Sequence, residues 1–252
     1  MRKFVKIATI IIIVGIIGWG ILSLRGYGAE PYVKQKILLD TLVTVKVYGE
    51  NKNKVEEAVN KAFSEMKRIE NLINNYDPQS EISRVNQKAG REAVKVSPET
   101  FKIVKLSKLY GKKTGGVFNI TVEPLVSLWS FGGRKHIPNQ QELNKILPLI
   151  NLNWVQLDKK NQTVKLAKKG MCLDLGGVGK GYAADRAITI LKRYGIRNAL
   201  VTTGSTTRVL GKKRDGKPWQ VGIQHPRKEG EIIGILSLEN QTLRKLGTRH
   251  AQ

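Results

Sequence analysis

Residues 171–186 read Met-Cys-Leu-Asp-Leu-Gly-Gly-Val-Gly-Lys-Gly-Tyr-Ala-Ala-Asp-Arg. The apolar stretch from Met171 to Leu175 reads as a short strand. It runs into a glycine turn at Gly176, Gly177, Gly179 and Gly181, and a helix opens at about Lys180. Strand, glycine turn and helix together aim free backbone N–H groups and the positive end of a helix at an anion. Asp174 at the strand end and Lys180 in the first helical turn flank the place where a phosphate would lie. The same geometry also serves plain chain reversal, and this stretch alone does not choose between the two. Two better-known phosphate motifs are excluded. A Walker A loop needs a glycine where Asp174 stands and a hydroxyl where Gly181 stands. The dinucleotide fingerprint that could be read at Gly179-x-Gly181-x-x-Ala184 wants an acidic residue at the end of the next strand, and Asn198–Thr203 ends without one.

Downstream, the helix buries Ala183, Ala187, Ile190, Leu191 and Tyr194 and stops at Gly195, a C-terminal glycine signal. Strands follow at Asn198–Thr203, Arg208–Gly211, Trp219–Ile223 and Ile232–Leu238. Upstream, Trp154–Asp158 and Thr163–Ala167 form a hairpin. Asn139 with Glu142 is a cap signal for a helix closed by Pro148, and Ser97-Pro98 starts another, with Phe101, Val104 and Leu109 on its buried side and Gly111 at its end. Ser80 to Asn86 reads as a polar connector. A long helix capped by Asn51 or Asn53 carries Val55, Val59, Ala62, Met66, Ile69 and Ile73 on one face and stops before Pro78. Lys36–Tyr48 alternates as one half-buried strand. This mixed order of helices and strands reads as an α+β fold.

The chain has 252 residues, 40% hydrophobic and 25% charged, with a formal net charge of +24. That charge points to anionic neighbours: lipid headgroups, a cell-wall polymer, a nucleotide or nucleic acid. Aromatic residues are 6% of the chain and do not interleave with a basic stripe, so no nucleic-acid partner is expected. A single cysteine, Cys172, permits no internal disulfide and no cysteine metal cluster, and reads as a small buried side chain. At the amino terminus Arg2, Lys3 and Lys6 precede an uncharged run from Ile7 to Leu24. Such a run, at ~1.5 Å per residue, just crosses a bilayer core. Its basic flank places the start of the chain in the cytoplasm and the rest outside. Residues 1–25 are therefore expected to be a transmembrane anchor or signal segment, 26–35 a linker, 36–243 the folded domain and 244–252 a tail. The expected localisation is the cell membrane, single-pass, with the domain extracytoplasmic.

Three segments taken together resemble a known family: Val117-Phe-Asn-Ile-Thr-Val-Glu-Pro-Leu-Val-Ser-Leu-Trp-Ser-Phe-Gly132, Asp174 to Asp185, and Trp219-Gln-Val-Gly-Ile-Gln-His-Pro-Arg227. With Leu39-Asp-Thr41 and Asn75 to Asn86, they are similar in type, order and spacing to the FAD:protein FMN transferases, the ApbE family. The resemblance covers roughly residues 37–243 and implies an ApbE-like flavin transferase fold of mixed sheets and packed helices. It implies a Mg²⁺-dependent reaction in which the FMN part of FAD passes to a Ser or Thr hydroxyl of an acceptor flavoprotein and AMP leaves. FAD contacts are then implied at Leu39, Tyr76, Val117, Phe118, Asn119, Asp174 and Lys180, and the backbone carbonyl of Gly177 is implied as a metal ligand. Read without the resemblance, Tyr76 is a helix-end packing residue, and Leu39 and Phe118 are core residues.

The chain departs from the family pattern at three places. Asn119 replaces an aspartate, and an amide carries no charge. Gly204-Ser205-Thr206 stands at a Gly-Gly-Asp/Asn turn. After Leu243 the sequence Arg244 to Gln252 does not match, so the family's C-terminal third, with its His and its metal-binding side chains, is expected to be missing and no catalytic residue is assigned. Two functions follow: an FAD:protein FMN transferase, or a membrane-anchored flavin-binding remnant without catalysis. A basic module for anionic polymers is the third reading.

Overall fold

Val43, Val45 and Val47 lie fully buried along one face of a strand, as their alternation predicts. The computed structural model describes residues 30–129, 137–228 and 230–244. The expected anchor and most of the tail lie outside these residues, and among those described no helix is long and apolar enough to cross a membrane. The single strand expected over Lys36–Tyr48 is a hairpin of β1 (Tyr32–Leu38) and β2 (Thr41–Tyr48). Its turn residues Leu39 and Asp40 both have positive φ, 55° and 54°. Two-residue hairpin turns need that conformation and usually recruit Asn or Gly; here neither marks the turn. Tyr32–Gln35, expected in the linker, are already paired with β2.

In chain order there follow α1 (Lys52–Ile73), α2 (Glu81–Gln87), β3 (Val94–Lys95), α3 (Pro98–Lys113), α4 (Glu123–Leu128), α5 (Gln140–Ile146), β4 (Val155–Asp158), β5 (Thr163–Leu166) and α6 (Gly176–Arg193). The chain continues with β6 (Asn198–Thr203), β7 (Thr206–Leu210), β8 (Trp219–Gln224), β9 (Ile232–Leu238) and β10 (Thr242–Arg244). An antiparallel sheet runs in the order β1-β2-β6-β7-β10, beside a small β3-β5-β4 sheet and a β8-β9 ribbon. Helices packed on antiparallel sheets make this the α+β fold expected. Arg244, assigned to the unpatterned tail, is the last residue of β10, opposite Thr206.

The main core lies between one face of the large sheet and α1 and α6, with Val45, Phe63, Met66, Ala187 and Val201 at its centre. On the other face, Leu200, Val209, Trp219 and Leu238 form a second cluster. Trp219 stacks at 5.4 Å on Tyr48 and its indole N–H donates to the Leu210 carbonyl. Polar residues tie the helices at their rims. Arg186 of α6 lies 2.8 Å from Glu65 of α1 and 3.2 Å from Glu99 of α3. Tyr182 donates to Glu99 at 2.7 Å. Hydrogen bonds from Arg68 and Arg186 hold the Glu65 carboxyl down to about 2, burial opposing them.

The caps at Asn51, Ser97 and Asn139 all form, the last as a full capping box. The connector expected at Ser80–Asn86 is instead α2, capped by the Ser80 hydroxyl and burying Ile82 and Val85. Leu109, expected in the core, is exposed. It sits five residues beyond Val104, about 140° around the helix, and the buried side runs through Ile103, Val104, Ser107 and Gly111. That helix also runs past Gly111 to Lys113. Tyr194, expected to be buried, is the exposed C-cap of α6, and Gly195 beyond it has the positive φ its position requires.

Candidate functional site

Met171–Leu175 belongs to no strand, although Met171, Leu173 and Leu175 are buried in alternation. Side-chain and loop groups replace the missing ladder. The Asn86 amide accepts from Leu173 N at 2.8 Å and donates to Leu173 O at 3.1 Å, imitating both bonds of a neighbouring strand. The Ile120 carbonyl accepts from Asp174 N at 2.8 Å. The segment is thus held by α2 on one side and by the loop before α4 on the other.

The expected glycine turn is helix. α6 begins at Gly176, four residues before Lys180, and none of Gly176, Gly177, Gly179 or Gly181 has positive φ. Close packing explains two of them. A Cβ on Gly179 would stand 2.5 Å from Ile73 Cδ1, and one on Gly177 would stand 3.1 Å from the Phe118 ring. Asp174 also acts locally, because its Oδ1 accepts from Gly176 N at 2.6 Å and occupies the positive end of α6.

Beside this helix start lies a cavity of about 220 Å³ lined by Leu39, Asp40, Glu70, Ile73, Asn74, Asn75, Tyr76, Asp174, Gly176, Gly179 and Lys180. Four of the expected contact residues, Leu39, Tyr76, Asp174 and Lys180, therefore meet here. Small-molecule sites usually span ~300–1,000 Å³, so the space fits one ring system, and a dinucleotide would extend beyond it. Tyr76, read above as a packing residue, is 69% exposed and stands at the mouth. Leu39 is buried, and its strained backbone is braced where Glu70 Oε1 accepts from Leu39 N at 2.8 Å. Lys180 forms no ion pair among the described residues, so its charge is available to a ligand.

The Val117–Asn119 segment does not line the cavity. Val117 is 91% exposed, and the Phe118 ring packs on Gly177. Asn119 Oδ1 accepts from the Thr121 amide and hydroxyl, at 3.0 and 2.7 Å, and the residue lines a separate groove with Lys108 and Leu152. The Cys172 thiol is pushed up to about 12, chiefly by burial, which leaves it an unreactive packing group.

Among the described residues, the donors around Gly177 do not make up a Mg²⁺ coordination shell. Its carbonyl accepts from Arg244 Nη1 at 2.6 Å, so a cation of the protein already lies on it. Among the described residues no three His, Cys, Asp or Glu side chains converge as metal ligands, whereas Mg²⁺ demands an octahedron of oxygens.

Two residues beside the site carried no sequence signal of their placement, Arg244 and Glu123. Glu123 opens α4 and is 6% exposed. Its Oε1 accepts from Ser127 at 2.9 Å, while its Oε2 has no hydrogen-bond partner among the described residues. Burial pushes its carboxyl above the ordinary 4.5, and the charge of Asp174 adds to this. The raised value means that the folded state holds this proton more tightly than the unfolded chain. The corresponding stability is complete below pH 4.5 and is lost as pH rises through the folded value. Glu123→Gln should therefore be more stable than the parent at pH 8 and equal to it at pH 4. Urea denaturation at the two pH values measures the difference.

The sequence profile of the ApbE family matches residues 39–248. The chain belongs to the ApbE family. The FAD:protein FMN transferase of Klebsiella pneumoniae is 29% identical over 219 residues, 86% of this chain and 66% of that protein. The Escherichia coli K12 protein of the same name is 27% identical over 89% of this chain and 66% of its own length. The chain thus spans just under two thirds of the length of these two curated relatives. Among solved structures, the ApbE protein of Thermotoga maritima superposes with a TM-score of 0.78 at 30% identity, over 84% of this chain and 69% of that one. The flavin transferase ApbE from Vibrio cholerae gives 0.76 at 24% identity, covering 88% and 75%, which establishes the ApbE fold. In this ApbE chain the Leu39, Tyr76, Phe118 and Asp174–Lys180 motifs all converge on the start of α6, either at the cavity or against the helix turn beside it.

Proposed function

We propose that this chain takes FAD as substrate and transfers its FMN part to a Ser or Thr hydroxyl of an acceptor flavoprotein. The observation that carries the reading is the meeting of Leu39, Tyr76, Asp174 and Lys180 at one cavity in a chain of the ApbE family. In the reaction the acceptor oxygen bonds to the FMN phosphorus. The bond from that phosphorus to the bridging oxygen breaks, AMP leaves with that oxygen, and the hydroxyl proton passes to water. The exposed Tyr76 ring offers a face on which a flavin or adenine ring can stack. Lys180 supplies positive charge to the diphosphate, where it offsets the negative charge that builds up on the departing AMP. Asp174 holds the end of α6 in place and, being anionic, keeps the diphosphate toward Lys180. The resemblance implies Mg²⁺, but the described residues offer no donor set for it, and no step above uses it. The basic flank and apolar run of Ile7–Leu24 support a membrane anchor with the domain outside the cytoplasm; fractionation of the expressed chain into the soluble pool would refute the anchor.

A second reading, a flavin-binding chain without transfer, is favoured by the Arg244 contact on Gly177. Flavin titration and an FMN-transfer assay on a Ser/Thr peptide, read as a mass gain on the peptide, separate the two. Lys180→Met should weaken FAD binding by about tenfold or more, the value of one charge-assisted contact. Unchanged FAD affinity in that variant would remove Lys180 from the site. A parent chain that binds FAD without modifying the peptide leaves the second reading.

A further inference from the structure

Strand alternation explains why Arg244 reaches α6. In β10, Leu243 packs into the second cluster on the outer face of the sheet. Its neighbour Arg244 therefore points to the opposite face, where α6 lies and where Thr203 of β6 donates to the Lys180 carbonyl at 3.2 Å. There the guanidinium meets the Gly177 carbonyl at 2.6 Å. Gly177 and Lys180 are three residues apart and so stand on the same side of the helix. One N–H of Arg244 serves the carbonyl, and a guanidinium carries five in a planar fork. The residue is exposed and its side chain makes no other hydrogen bond among the described residues, which leaves the rest of the fork to a ligand. Arg244 and Lys180 thus bring two positive charges to the first turn of α6, and Lys180 lines a cavity whose carboxylates are Asp40, Glu70 and Asp174.

We propose that Arg244 is a built-in cation of this site: it stands at the Gly177 carbonyl where a divalent ion would stand and, with Lys180, grips the diphosphate of a flavin dinucleotide, so that binding needs no divalent metal. A guanidinium suits this role because it binds two phosphate oxygens in parallel and is charged at every working pH. The inference rests on the flavin reading above and adds the identity of the cation.

The test is titration of the full chain with FAD, and with riboflavin, which lacks the diphosphate, each in EDTA and in excess Mg²⁺. The proposal expects FAD affinity to be the same in EDTA and in Mg²⁺. It expects Arg244→Ala to lose about tenfold or more in FAD affinity in EDTA, with Arg244→Lys recovering part of the loss and riboflavin affinity unchanged throughout. FAD binding by the parent only with Mg²⁺, or an Arg244→Ala chain that binds FAD as the parent does, overturns the proposal and leaves the flavin reading standing. Equal losses for FAD and riboflavin overturn it as well, since they mark a purely structural role. If the parent binds neither flavin under either condition, the flavin reading itself falls and takes this inference with it.

Discussion

Asn86→Ala is expected to destabilise the protein by about 2–4 kcal/mol, more than its modest side chain would suggest. The Asn86 amide makes both hydrogen bonds that the backbone of Leu173 would otherwise make in a sheet. Leu173 is fully buried, so truncation strands an N–H and a C=O away from water, and each unmade bond costs about 1–3 kcal/mol. Asn86→Asp keeps the acceptor for Leu173 N and loses the donor, and it brings a second carboxylate towards Asp174. It should fall between the parent and the alanine variant at low pH and approach the alanine variant at neutral pH. Chemical denaturation gives both values. A cost under about 0.5 kcal/mol for Asn86→Ala would mean that the segment before α6 is held by something else. Because Asp174 follows Leu173 directly, the same substitution should weaken ligand binding at the cavity.

Gly179→Val should cost about 2–3 kcal/mol and deform the cavity, whereas Gly181→Ala, two residues along the same helix, should gain about 0.5–1 kcal/mol. Both positions are helical glycines, and helix propensity alone predicts a gain for each side chain added. The surroundings reverse the sign at Gly179. A Cβ there would stand 2.5 Å from Ile73 Cδ1, while nothing lies within 4 Å at Gly181. Ile73 is buried and forms part of the cavity wall, so the side chain that must shift for valine is one that shapes the ligand space. Thermal or urea denaturation of the two variants checks the opposite signs. Flavin titration of the valine variant checks the change in the cavity. Two gains would refute the idea that the approach of α1 to α6 sets the glycine requirement.

These cases mark where the sequence was legible. The long helix α1 could be read residue by residue, because a repeat near 3.6 with a capping asparagine states both its buried face and its start. Val43, Val45 and Val47 were equally plain. Misreadings fell where tertiary contacts substitute for local rules. Leu39 and Asp40 turn the chain with φ values that neither residue advertises. The Met171–Leu175 segment looks like a strand because it is apolar, yet its partners are one side chain and one loop carbonyl. The α6 glycines look like a turn, yet they are helical, and Gly177 and Gly179 serve packing. At the site, Leu39, Tyr76, Asp174 and Lys180 were legible through resemblance to a family, and the structure brings them together. Val117, Phe118 and Asn119 were named by the same route, but their side chains meet solvent, Gly177 and Thr121.

What the sequence determined by itself was the α+β class, most helix and strand positions, and the family, because these depend on periodicity, capping and linear order. Only the tertiary structure decided which charges face one another. It placed Glu123 in the interior with an oxygen unpaired, and it laid the Arg244 guanidinium on the Gly177 carbonyl. The physical reason is distance along the chain. Arg244 and Gly177 are 67 residues apart, and nothing in the local sequence of either encodes the other. They meet because β10 joins the edge of a sheet whose face supports α6, a relation fixed by strand pairing and core burial together.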